Sequence, residues 1–272
     1  MCPDIDIRPL SKLNQHGRWF TEMTHSVPHG RIFWVTRGQG RITFSGVQKS
    51  YGQFTAMYVP ANYAHSYELK NPVFGWAVDI SPDASIDMPA NPMIMRIRDG
   101  AEQKRFAHLL DILQAECTLG AAAPDALHKS ALCHHAGLIT VWMQRMAAKH
   151  NEFTLQNPAQ RLITRYMQHI EDRMGHGDSM SHYAHFLGVS PSQLTETCLA
   201  TIGKTAVDIL KERLHFEARR ILITTDDPMA KISDTLGFAS LAYFDRFFQE
   251  VCQNTPEQFR SAHAIKQNLR AA

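Results

Sequence analysis

The 272-residue chain contains no apolar run approaching the roughly 18–20 residues that a membrane span requires. Its opening stretch, Met1–Leu10, has neither the basic start nor the apolar core of a secretory signal, so a cytoplasmic protein without a membrane partner is expected. It lacks any Cys-x-x-Cys pair. The five cysteines (Cys2, Cys117, Cys133, Cys198 and Cys252) are odd in number and scattered, which points to reduced thiols rather than a disulfide framework. No charge sign dominates: 28 Lys and Arg face 26 Asp and Glu, a net +2 that excludes a polybasic tail but not a locally basic site. With 44% hydrophobic and 20% charged residues, wholesale disorder is excluded as well. The 15 histidines are spread along the whole chain, which favours surface and structural roles over one metal cluster.

What is present divides into regions of different grammar, and the length is comfortable for two domains. From Ile5 to about Ile97, turn chemistry recurs every 8 to 12 residues, at Gly38–Gly40, Ser45-Gly46, Tyr51-Gly52, Pro60–Asn62 and Asn71-Pro72. Between the turns lie short runs rich in β-branched and aromatic residues. In Phe74–Ile80, Phe74, Trp76, Val78 and Ile80 alternate with Gly75, Ala77 and Asp79, the period of a strand. Such a pattern predicts a sandwich or small barrel over residues 1–98. From about Gly100 the spacing turns helical: Phe106, Leu109, Leu110 and Leu113, then, after a break at Gly120–Pro124, Leu127, Ala131, Leu138, Val141 and Trp142. Residues 99–149 therefore read as a helical packing or dimerisation segment. Leu109, Leu113, Leu138 and Val141 are the expected seam, with a core role as the alternative. Residues 150–157 read as a polar linker.

Residues 158–266 form an all-helical domain with explicit punctuation. A polar residue precedes proline at Asn157-Pro158, Ser190-Pro191, Asp227-Pro228 and Thr255-Pro256, pairing an acceptor for free amides with a preset φ. Gln160, Gln193 and Gln258 stand where a capping box needs them. Within 179–200, a short helix through Tyr183, Ala184 and Leu187 stops at Gly188, and Ser190-Pro191 opens the next helix. This is the requirement of a helix-turn-helix. The pattern recurs at about 228–251, with Gly237-Phe238 as the turn. Between the two lies Thr205–Ile223, whose Val207, Leu210, Leu214, Ala218 and Ile221 share one face. Its 19 residues span about 28 Å, near the roughly 34 Å between adjacent major-groove faces. Duplication on one spacer favours double-stranded DNA as the partner over an ordinary helical bundle.

With Arg213-Leu214, Ala218-Arg219, Leu222, Leu236–Phe238, Tyr243–Phe248 and Thr255–Arg260 in this order, residues 179–260 resemble the DNA-binding domain of AraC/XylS-type transcription regulators. Ser233 and Asn254 depart from the usual Ala and Gly, so Asn254 is expected in the left-handed conformation. Thr36–Gly40 and Gly52…Pro60…His65–Tyr67 are similar to strand-turn motifs of the family's cupin-like sensor domain. The resemblance implies an α+β multidomain protein: a cupin-like β-barrel with a helical dimerisation segment, then an all-α domain with two helix-turn-helix units. It implies a dimeric regulator, no enzymatic activity, no cofactor, RNA polymerase as a partner and a small-molecule effector. Implied DNA contacts are Ser192, Gln193, Thr195 and Glu196 on the first recognition helix, Lys204 and Thr205 at the spacer, and Ser240, Ala242, Asp245 and Arg246 on the second.

Arg246 can grip guanine or clamp a phosphate. Glu196 can accept from cytosine or repel the backbone, and Gln193 is contested by its capping role. Residues 158–272 hold 13 Lys and Arg against 13 Asp and Glu, so binding should depend on placed contacts, Arg219 among them, and show a shallow salt dependence. Effector-lining candidates are Trp34, Arg37, His65, Tyr67 and Trp76. Arg37 matches a position that holds sugar in the family's arabinose sensors, but Gly75 and Ala77 replace larger groups there, which argues against arabinose. A competing reading is a metal-binding cupin enzyme or metal sensor, with His25, His29 and His65 as ligands.

Overall fold

Short apolar runs between turn residues become strands in the computed structural model, which describes residues 4–69, 72–122, 127–154 and 157–271. Cys2, Asn71, part of the break at Gly120–Pro124 and two residues of the expected linker, 155–156, lie outside these. The chain groups into two units: the first holds the residues up to Gln156 except Met23–His25, and the second holds Met23–His25 and Asn157 onward.

In the first unit, strands β1 (Ile5–Pro9), β2 (Gly30–Arg37), β3 (Gly40–Phe44), β4 (Val47–Tyr51), β5 (Thr55–Val59), β6 (His65–Leu69), β7 (Phe74–Ile80) and β8 (Met93–Arg96) form two sheets, with the short helix α1 (Trp19–Glu22) between β1 and β2. One sheet has the order β1-β7-β2-β5-β8 and the other β4-β3-β6, and every pairing is antiparallel. No strand pairing among the described residues joins the two sheets. The expected barrel is instead an open pair of sheets.

Helices α2 (Gly100–Ala122) and α3 (His128–His150) cover the outer face of the five-stranded sheet. There Ile32, Trp34, Tyr58, Val78 and Ile80 meet Phe106, Leu110, Leu113, Ile139 and Trp142. The opposite face packs Phe33, Val35, Met57 and Ala77 against Ile42, Phe44 and Tyr67 of the smaller sheet. This sheet is buried on both sides, so the alternation in Phe74–Ile80 separates two buried faces. The apolar set Trp76, Val78 and Ile80 faces the helices, and Ala77 and Asp79 face the space between the sheets. Leu109 and Leu113 also belong to the helix–sheet core rather than to a seam, whereas Leu138 and Val141 are 55% and 42% exposed.

The expected linker begins later than residue 150. The Ile94 N–H donates to Asn151 Oδ1 (3.2 Å), Glu152 N–H donates to the Ile94 carbonyl (2.9 Å), and Phe153 is buried against Phe44. An asparagine able to bond a strand edge and an apolar residue able to enter the core turn a polar-looking stretch into a strap.

The second unit is helical: α4 (Pro158–Asp172), α5 (Met180–Leu187), α6 (Pro191–Ile202), α7 (Ala206–Thr224), α8 (Met229–Thr235), α9 (Leu241–Cys252) and α10 (Pro256–Ala271). Asn157, Ser190 and Thr255 cap their helices by accepting from the N–H of Gln160, Gln193 and Gln258, respectively. Gln258 returns the bond to the Thr255 N–H, completing the box. Asp227 does not cap α8. Pro228 occupies the cap position, and the Asp227 carboxylate holds Lys231 four residues on (2.7 Å). The buried face of α7 is also offset from the apolar stripe read above. It carries Ile209, Arg213, His215, Phe216, Ala218 and Leu222, while Val207 is exposed.

Candidate nucleic-acid interface and sensor residues

Helices α5 and α6 meet through Gly188 at φ +73°, and α8 and α9 through Gly237 at φ +76°. Both turns need the left-handed conformation that L side chains resist. Their surroundings differ. A Cβ on Gly188 would meet nothing within 4 Å, whereas one on Gly237 would lie 2.5 Å from the Gly177 nitrogen and 2.7 Å from the Gly175 carbonyl. Gly188→Ala should therefore cost about 1 kcal/mol and Gly237→Ala about 2–3 kcal/mol, because backbone must shift as well. Urea titration of both variants checks the order; equal losses would refute the packing argument.

Leu194 is fully buried at the crossing of α5 and α6, and Phe244, Phe247 and Phe248 hold α9 onto Ile232, Leu236 and α7. These anchors turn the remaining faces of α6 and α9 outward. Ser192, Gln193 and Glu196 are exposed on α6, with Thr195 half-buried beside them. The Gln193 backbone N–H is taken by the Ser190 cap, and its side chain makes no hydrogen bond to a described residue, so capping leaves the amide available. On α9, Ala242 and Arg246 are exposed, and Ser240 is the exposed N-cap, accepting from the Tyr243 N–H (3.2 Å). The Arg246 guanidinium lies over the Tyr243 ring, 5.6 Å from its centre.

Other expected contacts are placed differently. Asp245 is half-buried, and burial together with Glu257 pushes its carboxyl above the usual range. Lys204 is held by Glu212, and Thr205 is engaged in a capping box with Asp208. Arg219 donates to the Cys252 sulfur (3.1 and 3.2 Å) and lies over Phe259, so it is a packing cation rather than an outward phosphate contact. The left-handed residue after α9 is Gln253 (φ +56°), not Asn254, whose amide donates to the Cys252 carbonyl (3.2 Å).

The recognition-helix side of α7 rests on a buried histidine. His215 is 2% exposed and stacked on Phe247, with 4.0 Å between ring centres. Burial first, then Arg219 and Lys211, lowers its pKa to about 4. The unfolded chain takes up this proton near pH 6.5 and the folded one only near 4, so stability is present above 6.5 and lost as pH falls towards 4. Between pH 7 and pH 5 the loss from this group should be about 2 kcal/mol. Urea midpoints at the two pH values for wild type and His215→Phe measure it; an undiminished pH dependence in the variant would exclude His215 as its source.

In the first unit, the expected effector residues do not converge. Trp34 is buried on the outer sheet face, edge-on to Phe106 (5.1 Å between ring centres), and half-buried Trp76 packs on the same side. Arg37 is exposed at the end of β2, over the Phe74 ring. Trp34 and Trp76 are cross-strand partners on that outer face, and His65 and Tyr67 meet elsewhere, with parallel rings 5.9 Å apart between the sheets. Burial lowers the His65 pKa to about 3, keeping the ring neutral.

Beside them lies a charged cluster that sequence reasoning missed. Arg31 grips Asp79 at 2.5 and 2.9 Å and donates to the Tyr67 hydroxyl (3.3 Å), and His29 and Arg8 also reach Asp79. Burial alone would raise the Asp79 pKa, but Arg31 outweighs it and holds the carboxyl well below the usual range. The signal available was Asp79 itself, a charge at an inward position of an apolar strand.

The proposed metal ligands do not assemble. His25, in the second unit, stacks on Phe216 and its Nδ1 meets the Met23 carbonyl; His65 Nδ1 meets the Tyr63 carbonyl. Among the described residues no three His, Cys, Asp or Glu side chains gather at metal-binding spacing.

Residues 183–262 match the family model described as a helix-turn-helix domain. The chain is 24% identical over 127 residues to the arabinose operon regulatory protein of Escherichia coli (strain K12), covering 46% of this chain and 43% of that protein. It is 30% identical over 103 residues to the transcriptional activator NphR of a Rhodococcus species, covering 38% and 30%. It therefore spans less than half the length of these relatives. Apo ToxT from Vibrio cholerae aligns over 94% of this chain and 96% of its own, with a TM-score of 0.47 and 11% identity. Among the described residues, no helix is long and apolar enough to cross a membrane.

Proposed function

We propose that this chain is a sequence-specific DNA-binding transcription regulator of the AraC/XylS type whose N-terminal unit answers to a small molecule, a reading supported by the helix-turn-helix match over residues 183–262 and by the regulators it resembles. The observation that carries this reading is the repeat of one device on a single capped spacer. Two helix-turn-helix pairs flank the 19 residues of α7, about 28 Å long against a groove repeat of about 34 Å. In this reading α6 and α9 enter successive major grooves from one face of the duplex. Ser192, Gln193, Glu196, Ala242 and Arg246 meet base edges or nearby phosphates, and helix N-termini position the backbone.

The protein acts in the cytoplasm as a homodimer and engages RNA polymerase. The outward face of α3 around Leu138 and Val141, bordered by Ile86, Cys133 and Gly137, supports the dimer assignment. Dimerisation compensates for a DNA-binding unit with balanced charge.

Footprinting of promoter fragments retained by the full chain should show two protected segments about one helical turn apart on one face. Arg246→Ala should weaken retention by about 1–3 kcal/mol. Protection of a single segment, or an Arg246→Ala variant that binds like wild type, would contradict the two-groove reading.

A further inference from the structure

We propose that the first unit binds a small hydroxylated anion in a rim cleft centred on Arg96 and Arg98, at the edge strand β8, and not among the side chains between the sheets. The assignment rests on the effector reading above and gives that effector a place and a chemistry. Two clefts, of about 530 and 720 Å3, share Arg96, Arg98 and Glu152 and so meet at these residues. Between the sheets, by contrast, His65, Tyr67 and Phe153 are each no more than 4% exposed.

The charges around the clefts are not equally committed. Asp99 accepts from the Ala101 N–H (2.8 Å) and so caps α2, and Glu102 accepts from the Trp142 indole N–H (2.7 Å). Arg96, Arg98 and Lys149 make no ion pair or side-chain hydrogen bond to a described residue. Three cations without an ion pair thus line the cleft with three carboxylates, two of which are already turned to the N–H groups of Ala101 and Trp142. Two arginines one residue apart supply the forked donors that suit a phosphate or carboxylate. The larger cleft adds Gln39, Gln53, Ser50 and Thr55, whose amides and hydroxyls suit a hydroxylated body.

The position also explains how occupancy reaches the tether. Glu152 lies in the strap bonded to Ile94, between the buried anchor Phe153 and α3. An anion held by Arg96 and Arg98 sits beside Glu152 and so sets a like charge against the strap that leads to α4.

The test uses the full chain, with glycerol 3-phosphate and glycerate as separate probes of the two head groups, followed by calorimetric titration and thermal unfolding. Saturable binding of either probe is expected, weakened tenfold or more in R96Q/R98Q and unchanged in Arg145→Gln, an exposed cation elsewhere on α3. Both arginines are exposed, so the double variant keeps the wild-type unfolding midpoint without probe. No saturable binding, wild-type binding by R96Q/R98Q, or an equal loss in Arg145→Gln overturns the proposal.

Promoter-fragment retention with a metabolite panel separates the two readings. A metabolite that shifts retention equally in wild type and R96Q/R98Q leaves the effector reading standing and removes this cleft. Arginine-dependent probe binding, with no metabolite affecting retention, leaves the cleft standing and removes the effector reading.

Discussion

Arg213→Ala is expected to destabilise the helical unit by about 3–5 kcal/mol, read as a lowered urea midpoint by far-ultraviolet circular dichroism. Arg213 is 5% exposed. It joins α7 to α4 through two bonds to Glu171 (2.6 and 2.9 Å) and reaches Glu217 on its own helix (3.0 Å). Burial by itself would favour losing the proton, but the two carboxylates outweigh it and keep the guanidinium charged. Alanine leaves Glu171 buried without that cation, while Glu217 keeps Arg220, and an uncompensated buried charge costs more than the pair was worth. Glu171→Gln should cost less, because Glu217 still faces the arginine. A loss below about 1 kcal/mol for Arg213→Ala would show that water reaches the site and screens it.

The second large effect is expected in the first unit, where Asp79→Asn should cost about 3–5 kcal/mol. Asp79 is the acid opposite Arg31, which is itself buried, and it also receives His29 and the half-exposed Arg8. All four tryptophans precede residue 157, so tryptophan fluorescence follows this transition without the helical unit. Arg8→Ala serves as comparison and should cost about 1 kcal/mol or less, since its side chain is 37% exposed. Similar losses for the two variants would mean that the Arg8 contact, not the Arg31 pair, carries the effect.

These two residues also mark where the sequence could be read and where it could not. Helix starts at Asn157, Ser190 and Thr255 were legible because capping is local: the acceptor, the proline and the N–H three residues on are all within one turn. The two glycine turns were legible for the same reason. Faces were harder. A strand covered on one side advertises its inner face by alternation, but β7 is covered by helices on one side and by the smaller sheet on the other. Both of its parities are therefore buried, and nothing in the alternation showed that Asp79 lies inward. On α7 the inward positions include Arg213 and His215, whose polar types hid the buried stripe and shifted its apparent centre towards Val207. The strap at Asn151–Phe153 was missed because its partner, the Ile94 backbone, is distant in sequence and is recognised by no residue type. Of the sensor residues, His65 and Tyr67 lie together between the sheets. Trp34 was misplaced by the same two-sided burial.

The length of α7 has a consequence beyond the reach it provides. In a helix, each residue contributes about 1.5 Å of rise and about 100° of turn. Chain length between the two recognition helices is therefore converted into angular phase as well as distance. A single inserted residue would swing one recognition helix a quarter-turn or more around the shaft, while hardly changing its separation from the other. Natural variants of this chain should accordingly accept insertions near Thr154 far more readily than anywhere between Ala206 and Thr224. Their operators should conserve helical phase more strictly than base identity between the two contacted segments.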